Sequence, residues 1–381
     1  MLTPVAEAAY AEREIFALGQ DSLRRYPSFA AELEQATRLP TGFRQTGTLQ
    51  VAYDSDDLAV LDELRFLQDS FGVRSKQLTA RQCREAEPML NPSIRAGLFA
   101  ADDGSVDPRL LATALLTAAT AAGARHLPAA VAEILTSADR VAGVRLADDS
   151  EVPASSVVLA AGWQSSGFPG LPSGYAPPVR PVKGQIMRLR STAATTAAGL
   201  PPGLLQHTVR GIVRGSSIYL VPRDSGELVV GATQEELGTD TTVTAGGVWE
   251  LLRDARTIVP GITELELADV AAGLRPGTPD NAPLLGPAEL PGLVLATGHF
   301  RAGVLLAPVT ADTITQFLLT GRADPLWAAF GAARFQASDR PPASDRSAAP
   351  DGLPVARRTA DSTEFPGQPV SSQGAGHDRR P

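Results

Sequence analysis

One form occurs twice in this chain and restricts its fold more than any other feature: "VVLAAG", Val157 to Gly162, and "LVLATG", Leu293 to Gly298, each a short apolar run that ends in glycine. A run that is apolar at every position belongs to a strand covered on both faces, which is the habit of parallel sheets. A terminal glycine lets backbone come close to a ligand at the carboxyl end of such a strand. The second run continues as "HFRAGVLLAP" into a helix expected after Gly303. The free N–H groups and positive dipole end of that helix would face the strand-end crevice, a place for an anionic or electron-rich group. On these residues alone, a Gly-rich turn that only reverses the chain is the competing reading.

The other segments supply the rest of an α/β architecture. "TGTLQVAYD" alternates like a strand, "DDLAVLDELRFLQDSFG" carries Leu58, Leu61, Leu64 and Leu67 at helical spacing and stops at Gly72, and "DPRLLATALLTAATAAG" is a helix. That last helix has Asp107 as N-cap and Pro108 in its first turn. "VAEIL" and "VAGVRLADD" are short strands, and "PVKGQIMRLR", "SIYLVPR" and "GELVVGAT" are antiparallel strands with "RDSG" as the hairpin turn between the last two. "GGVWELLRDARTIVP" is a helix, and "VAAGLRPGTPDNAPLLGP" reads as irregular because glycine and proline interrupt it. The expectation is an α/β nucleotide-binding core with an inserted mixed, antiparallel-sheet domain. From Gln336 the chain turns rich in Pro, Ser, Asp and Arg with little to bury, the composition of a disordered tail over 336–381.

Charge and composition then limit the partners. A net charge of −8 and a pI near 5.2 disfavour nucleic acid, which needs clustered Lys and Arg. No apolar run approaches a membrane span and the N-terminus lacks the order of a signal peptide, so cytoplasm is the expected location. The single cysteine, Cys83, excludes an internal disulfide and reads as a packed residue in the first turns of a helix. The four histidines show no metal-ligand spacing.

Two side chains invite a chemical role. Arg275 lies in "GLRPG", where a planar guanidinium on a braced segment suits bidentate grip of a carboxylate; a salt bridge to a nearby acid such as Asp280 is the alternative. Tyr219 alternates with Ile218 and Leu220, so it either presents its hydroxyl to a pocket or packs. No nucleophile with an adjacent base and no paired carboxylates stand out, which suits a reaction whose hard chemistry belongs to a cofactor.

In order, "DDGSVDPRLLATAL", "VVLAAGWQS", "VRPVKGQIMRLR", "IYLVPRDSGELVVGAT", "AAGLRPGTPDNAPLLGP" and "LATGHFRAGVLLAP" resemble the FAD-dependent glycine oxidases of thiamine biosynthesis, in the D-amino-acid oxidase and sarcosine oxidase superfamily. The resemblance spans about residues 1–330. It implies oxidation of glycine, and of sarcosine or small D-amino acids, to an imine with O2 reoxidising the flavin to give H2O2, the imine feeding thiazole assembly. It implies FAD-binding parts at about 1–40, 105–175 and 265–335 and substrate-domain parts at about 41–104 and 176–264. By the same resemblance Arg275 grips the substrate carboxylate, Arg301 lies beside the substrate, and Tyr219 and Gln234 line its pocket. His299, Phe300, Arg301, Ala302, Gly303, Val304 and Leu305 then run along the flavin, with Val131 and Gly162 as further FAD contacts. Some relatives carry Met where Gln234 stands, and Asn is common where Ala302 stands.

In the family a strand, a G-x-G-x-x-G turn and a helix come before the segment that resembles "MLTPVAEAAY", and no such turn occurs in this sequence. Two expectations follow: either Met1 is an internal methionine of a longer reading frame and the enzyme is intact, or the chain as written binds FAD weakly or not at all and is poorly soluble. Another FAD-dependent small-amine oxidase or dehydrogenase and an inactive remnant are the rival functions. A homo-oligomer is left open by the sequence.

Overall fold

The computed structural model describes residues 1–335 except 11, 74, 173–174, 214 and 326; the expected tail over 336–381 lies outside the described residues. The chain runs α1 (Arg13–Thr37), β1 (Thr48–Ala52), α2 (Ser55–Ser70), β2 (Lys76–Thr79), α3 (Ala80–Ala86), β3 (Ala96–Ala100) and α4 (Pro108–Ala121). There follow β4 (Val131–Ser137), β5 (Arg140–Leu146), β6 (Glu151–Pro153), β7 (Val157–Leu159), β8 (Arg180–Arg190), α5 (Ala193–Ala197), β9 (Thr208–Val213), β10 (Ser216–Pro222) and β11 (Glu227–Gly231). The described chain closes with α6 (Ala245–Ile258), β12 (Glu266–Gly277), β13 (Leu284–Pro287), β14 (Leu293–Thr297) and α7 (Ala307–Thr320), followed by short helical turns. The architecture is mixed α/β, as the sequence implied.

Local chemistry explains several boundaries. Asp107 caps α4 by accepting from Arg109 N at 2.8 Å and Leu110 N at 3.3 Å, with Pro108 in the first turn where its missing N–H costs nothing. Asp54 and Asp57 cap α2 reciprocally. The single cysteine sits in α3, fully buried, and burial pushes its thiol up to about 11.

Eight strands form the large sheet in the order β12-β8-β11-β10-β9-β1-β3-β2, antiparallel throughout except where β1 runs parallel to β9. One face packs on α6, whose Leu251, Ala255 and Ile258 join Val209, Ile218, Leu220, Leu228 and Val230 in the main core. Each of these leucine, isoleucine and valine side chains, fully buried, contributes about 1.5–3 kcal/mol. Gly211 admits this helix, since a Cβ there would meet Ile258 Cγ1 at 2.5 Å. On the opposite face, Gln50, Arg210, Tyr219, Gly231, Ile186 and Ala271 stand in one row, each paired in register with the next. Directly paired residues share a face, so this row presents polar groups together on the face away from α6.

The two glycine-ended runs form the second sheet, β13-β14-β7, in which β14 and β7 pair in parallel as their composition predicted. Leu159 is buried, but Val158 is 38% exposed because β7 lies at the sheet's edge among the described residues, which corrects the expectation of a strand covered on both sides. β4, β5 and β6 make a separate antiparallel sheet. The segment read as irregular is in fact β12 and β13. Pro276 and the glycines are tolerated because β12 is the edge strand of the large sheet, where a missing N–H interrupts no ladder. The helix expected just after Gly303 begins only at Ala307, preceded by a 3-10 turn over Phe300–Ala302.

Candidate functional site

Two strand glycines, Gly184 inside β8 and Gly231 at the end of β11, shape the centre of the site. Arg275 stands on β12 opposite Val182, and its guanidinium lies back over Gly184, where any Cβ would overlap it. Nη1 donates to the carbonyls of Thr233 at 3.2 Å and Lys183 at 3.4 Å. No carboxylate pairs with Arg275 among the described residues; Asp280, the partner that the sequence offered, is taken by Arg334 at 2.7 Å. The guanidinium is thus oriented by neutral acceptors while its charge stays available to an anion. Tyr219 lies in the same way over Gly231, where a Cβ would overlap its hydroxyl. Burial pushes the phenol up, against the pull of the Arg275 cation, so it is a neutral hydrogen-bond donor at ordinary pH. Without these two glycines neither side chain could lie flat on the sheet.

Beyond Tyr219 along the row, Arg210 donates to Glu7 at 2.7 Å through Nη1, while its buried Nε finds no partner. Gln50 Oε1, Thr48 Oγ1 and Thr3 Oγ1 are likewise buried without a hydrogen bond. A cleft of about 390 Å³ opens here, lined among others by Glu7, Tyr10, Gln50, Arg210 and Arg301. Under it, Asp103 accepts from Val5 N at 3.4 Å and Ala6 N at 3.3 Å and so fixes the chain that carries Glu7. Burial lifts the Asp103 carboxyl to about 8.

The second element is the turn that leaves β14. Thr297 Oγ1 donates to Gly162 O at 3.0 Å and shares a 2.8 Å hydrogen bond with Ser165, joining the carboxyl ends of β14 and β7. Gly298 follows at φ 71, where a Cβ would meet Thr278 Cγ2 at 2.6 Å, and Phe300 holds φ 47. A left-handed conformation at a residue with a side chain costs about 1–2 kcal/mol and gathers at functional sites. His299 Nε2 lies 3.1 Å from Thr310 Oγ1, and burial pushes the imidazole down to about 4. Arg301 ion-pairs with Glu12 and rests 5.7 Å from the centre of the Phe300 ring. From α1, Ser22 Oγ donates to Leu305 O at 2.6 Å and Tyr26 Oη donates to Val304 O at 2.5 Å, which clamps the turn.

The structure therefore brings Arg275 and Tyr219 together on one sheet face, and sets His299 to Leu305 in one clamped turn. Ala302 closes that turn by donating to His299 O at 2.9 Å and accepting from Leu306 N at 2.8 Å, and Gly303 continues it. Arg301 borders the cleft that Arg210 also lines. Gly162 opens the 3-10 turn that follows β7, at φ 59, with open space where a Cβ would stand. Gln234 is exposed, directly after the residue whose carbonyl orients Arg275. Val131 opens β4 in the third sheet, which shares no strand with either element. Sequence reasoning missed Arg210, Glu7, Ser22 and Tyr26; for the last two, their spacing of four on one helix face was the available signal.

The family described as FAD dependent oxidoreductase, DAO, matches residues 1–317. The chain belongs to the DAO family of FAD-dependent oxidoreductases. It is 32% identical over 343 residues to the Bifunctional protein ThiO/ThiG of Synechocystis sp., covering 90% of this chain and 48% of that one. The chain thus spans about half the length of the ThiO/ThiG relatives it matches. It is 32% identical over 287 residues to the Glycine oxidase of Geobacillus kaustophilus, with 74% of this chain and 72% of the relative covered. The crystal structure of glycine oxidase from that organism superposes with a TM-score of 0.76 at 29% identity, over 88% of this chain and 85% of the other.

Two observations on this DAO-family chain fit FAD as the cofactor. Gly162, at φ 59 in the turn that follows β7, has open space where a Cβ would stand, which leaves backbone open to close approach near the carboxyl end of a parallel strand. Buried polar atoms of Thr3, Thr48, Gln50 and Arg210 have no protein partner. Native interiors rarely leave such atoms unpaired unless water or a ligand meets them. No helix of the described residues is long and apolar enough to cross a membrane.

Proposed function

We propose that this chain oxidises glycine, and with it sarcosine or small D-amino acids, to the imine, supplying the thiazole unit in thiamine biosynthesis from the cytoplasm. The observation that carries this reading is the Arg275 guanidinium, un-neutralised and laid over Gly184 beside the Tyr219 phenol, in a chain of this family. In this reading the FAD-binding parts are about 1–40, 105–175 and 265–335 and the substrate parts about 41–104 and 176–264.

Arg275 takes the substrate carboxylate in a two-point grip, and the Tyr219 hydroxyl donates to the same group. This fixes the carboxylate, hence the rotation about the bond to Cα, and a Cα held in line for reaction gains several kcal/mol from orientation alone. Gln234 borders the amine side of the pocket and Arg301 its mouth. Val131, Gly162 and the turn from His299 to Leu305 would hold the cofactor, which would supply the acceptor for the hydride leaving Cα and the route of the two electrons to O2, giving H2O2. No side-chain base is needed: the lone pair of the neutral amine expels the hydride and the amine proton leaves to solvent, which balances the imine. His299, held neutral by burial, adds no charge beside the cofactor.

Peroxide release is measured with glycine, sarcosine and D-alanine on FAD-supplemented protein, together with glyoxylate formed from glycine. Glycine turnover that falls at least tenfold in Arg275→Ala through a raised KM supports the reading. Flavin-loaded protein that yields neither peroxide nor glyoxylate from glycine refutes it.

A further inference from the structure

Behind the sheet, directly beneath Gly184, a buried cation has no role in the chemistry described so far. Lys183 neighbours Gly184 on β8, so its side chain points to the opposite face from the one on which Arg275 rests. It is fully buried, and its Nζ has no hydrogen-bond partner. It lies 3.6 Å from Glu235 Oε2 and 3.5 Å from Asp240 Oδ2. Glu235 in turn accepts from Thr233 Oγ1 at 2.5 Å and from Gln185 Nε2 at 2.8 Å. Burial opposes ionisation of Glu235, but those two hydrogen bonds and the Lys183 cation hold its carboxyl below the usual value.

We propose that Lys183 is a positioning residue for the substrate carboxylate, acting through the clasp it forms with Thr233 and Glu235 on Arg275. The clasp is closed by backbone as well: Lys183 N donates to Glu235 O at 2.9 Å, Glu235 N to Lys183 O at 3.0 Å, and Thr233 N to Gln185 O at 3.2 Å. Both carbonyls that orient Arg275 belong to it, Thr233 O and Lys183 O. The Lys183 charge holds Glu235 and Asp240 against β8, Glu235 holds the Thr233 side chain, and Thr233 O sets the plane of the guanidinium on the other side of the sheet. Removing the cation leaves two carboxylates facing each other without a counter-charge, so the segment from Thr233 to Asp240 lifts and the guanidinium loses its direction. The inference rests on Arg275 as the carboxylate anchor.

The test uses the full chain with FAD, and acetate as a probe that carries the carboxylate without a reacting amine. Lys183→Met is expected to raise the dissociation constant of acetate, read by calorimetry, and the KM for glycine by roughly tenfold each, with kcat changed by less than about threefold. Lys183→Arg, which keeps the cation, restores most of both. Glu235→Gln reproduces the loss, and the double variant Lys183→Met with Glu235→Gln is no worse than either single one, as expected of residues acting as one unit. Should Lys183→Met fail to fold, Glu235→Gln and Asp240→Asn on the more exposed side carry the test. If acetate binding stays unchanged in Lys183→Met, or in Glu235→Gln where the first cannot be made, while Arg275→Lys weakens it, the positioning role is overturned. If Arg275→Lys leaves acetate binding unchanged, the anchor itself is wrong.

Discussion

Gly184→Ala isolates the geometry of the proposed carboxylate anchor from the stability of the fold. The new Cβ would stand well inside van der Waals contact with the Arg275 guanidinium, so that group must retreat by more than about 1 Å to reach an ordinary carbon contact of about 3.5–4.0 Å. A displacement of about 1 Å in a positioning group costs on the order of a hundredfold in rate. We therefore expect kcat/KM for glycine to fall about 100-fold, mostly through KM, with acetate binding weakened in parallel. The backbone should gain rather than lose: Gly184 holds no left-handed φ, and alanine in a compatible conformation stabilises by about 0.4–1 kcal/mol through the unfolded chain. Gly273 supplies the control, since it pairs with Gly184 in register and has open space where its Cβ would stand. Steady-state peroxide assays on both variants, with denaturant unfolding alongside, decide the matter. Wild-type KM in a folded Gly184→Ala protein, or equal losses in Gly184→Ala and Gly273→Ala, would refute the argument.

Other expectations are independent of this one. Gly211→Ala forces a methyl against Ile258 Cγ1 and should destabilise the fold by about 1–3 kcal/mol, read as a lower denaturant midpoint at constant slope. Tyr26→Phe leaves the half-buried Val304 carbonyl only its longer 3.3 Å bond from Ala307 N and should cost about 0.5–1.5 kcal/mol while loosening flavin retention, followed by flavin absorbance after gel filtration. Burial raises the Asp103 carboxyl from 3.8 to about 8, so its contribution to stability is complete below about pH 4 and declines as pH rises to about 8. In Asp103→Asn that decline should vanish, and unfolding midpoints that still fall with pH as steeply as in wild type would contradict it.

Much of the helix and strand order could be read from local chemistry. Asp107 followed by Pro108 marks a helix start in any context, and the apolar runs at Val157 and Leu293 pair in parallel as such runs do. Other features had no local signature. The helix α1 opens at Glu12 without a side-chain cap and contains Pro27, so its start is unmarked and its middle resembles a break; tertiary burial of Leu18, Leu23 and Tyr26 holds it. The strand β12 looked irregular because the cost of Pro276 depends on which neighbour the strand has, and only topology shows that it is an edge. Arginine in "GLRPG" suggested an anion or the nearby Asp280, and no local pattern shows that Asp280 is taken by Arg334, more than fifty residues onward. Gly184 and Gly231 were visible as glycines in strands, a known sign of close approach, but what approaches them is decided by register with β12 and β10.

The parallel pairing of β1 with β9 has a kinetic consequence. Every other junction in the large sheet is antiparallel, whereas this one joins strands that lie far apart along the chain, Thr48 meeting Thr208. Loop closure over such a separation is slow, and parallel pairs are slightly weaker per residue. The sheet should therefore assemble as two blocks, β1 to β3 and β8 to β12, that meet last and part first. Because Gln50 and Arg210 face each other across that seam, exchange of the amides that bond β1 to β9 should report the earliest sub-global opening in the sheet. Such an opening would split the cleft while leaving Arg275 and Tyr219 together in the other block.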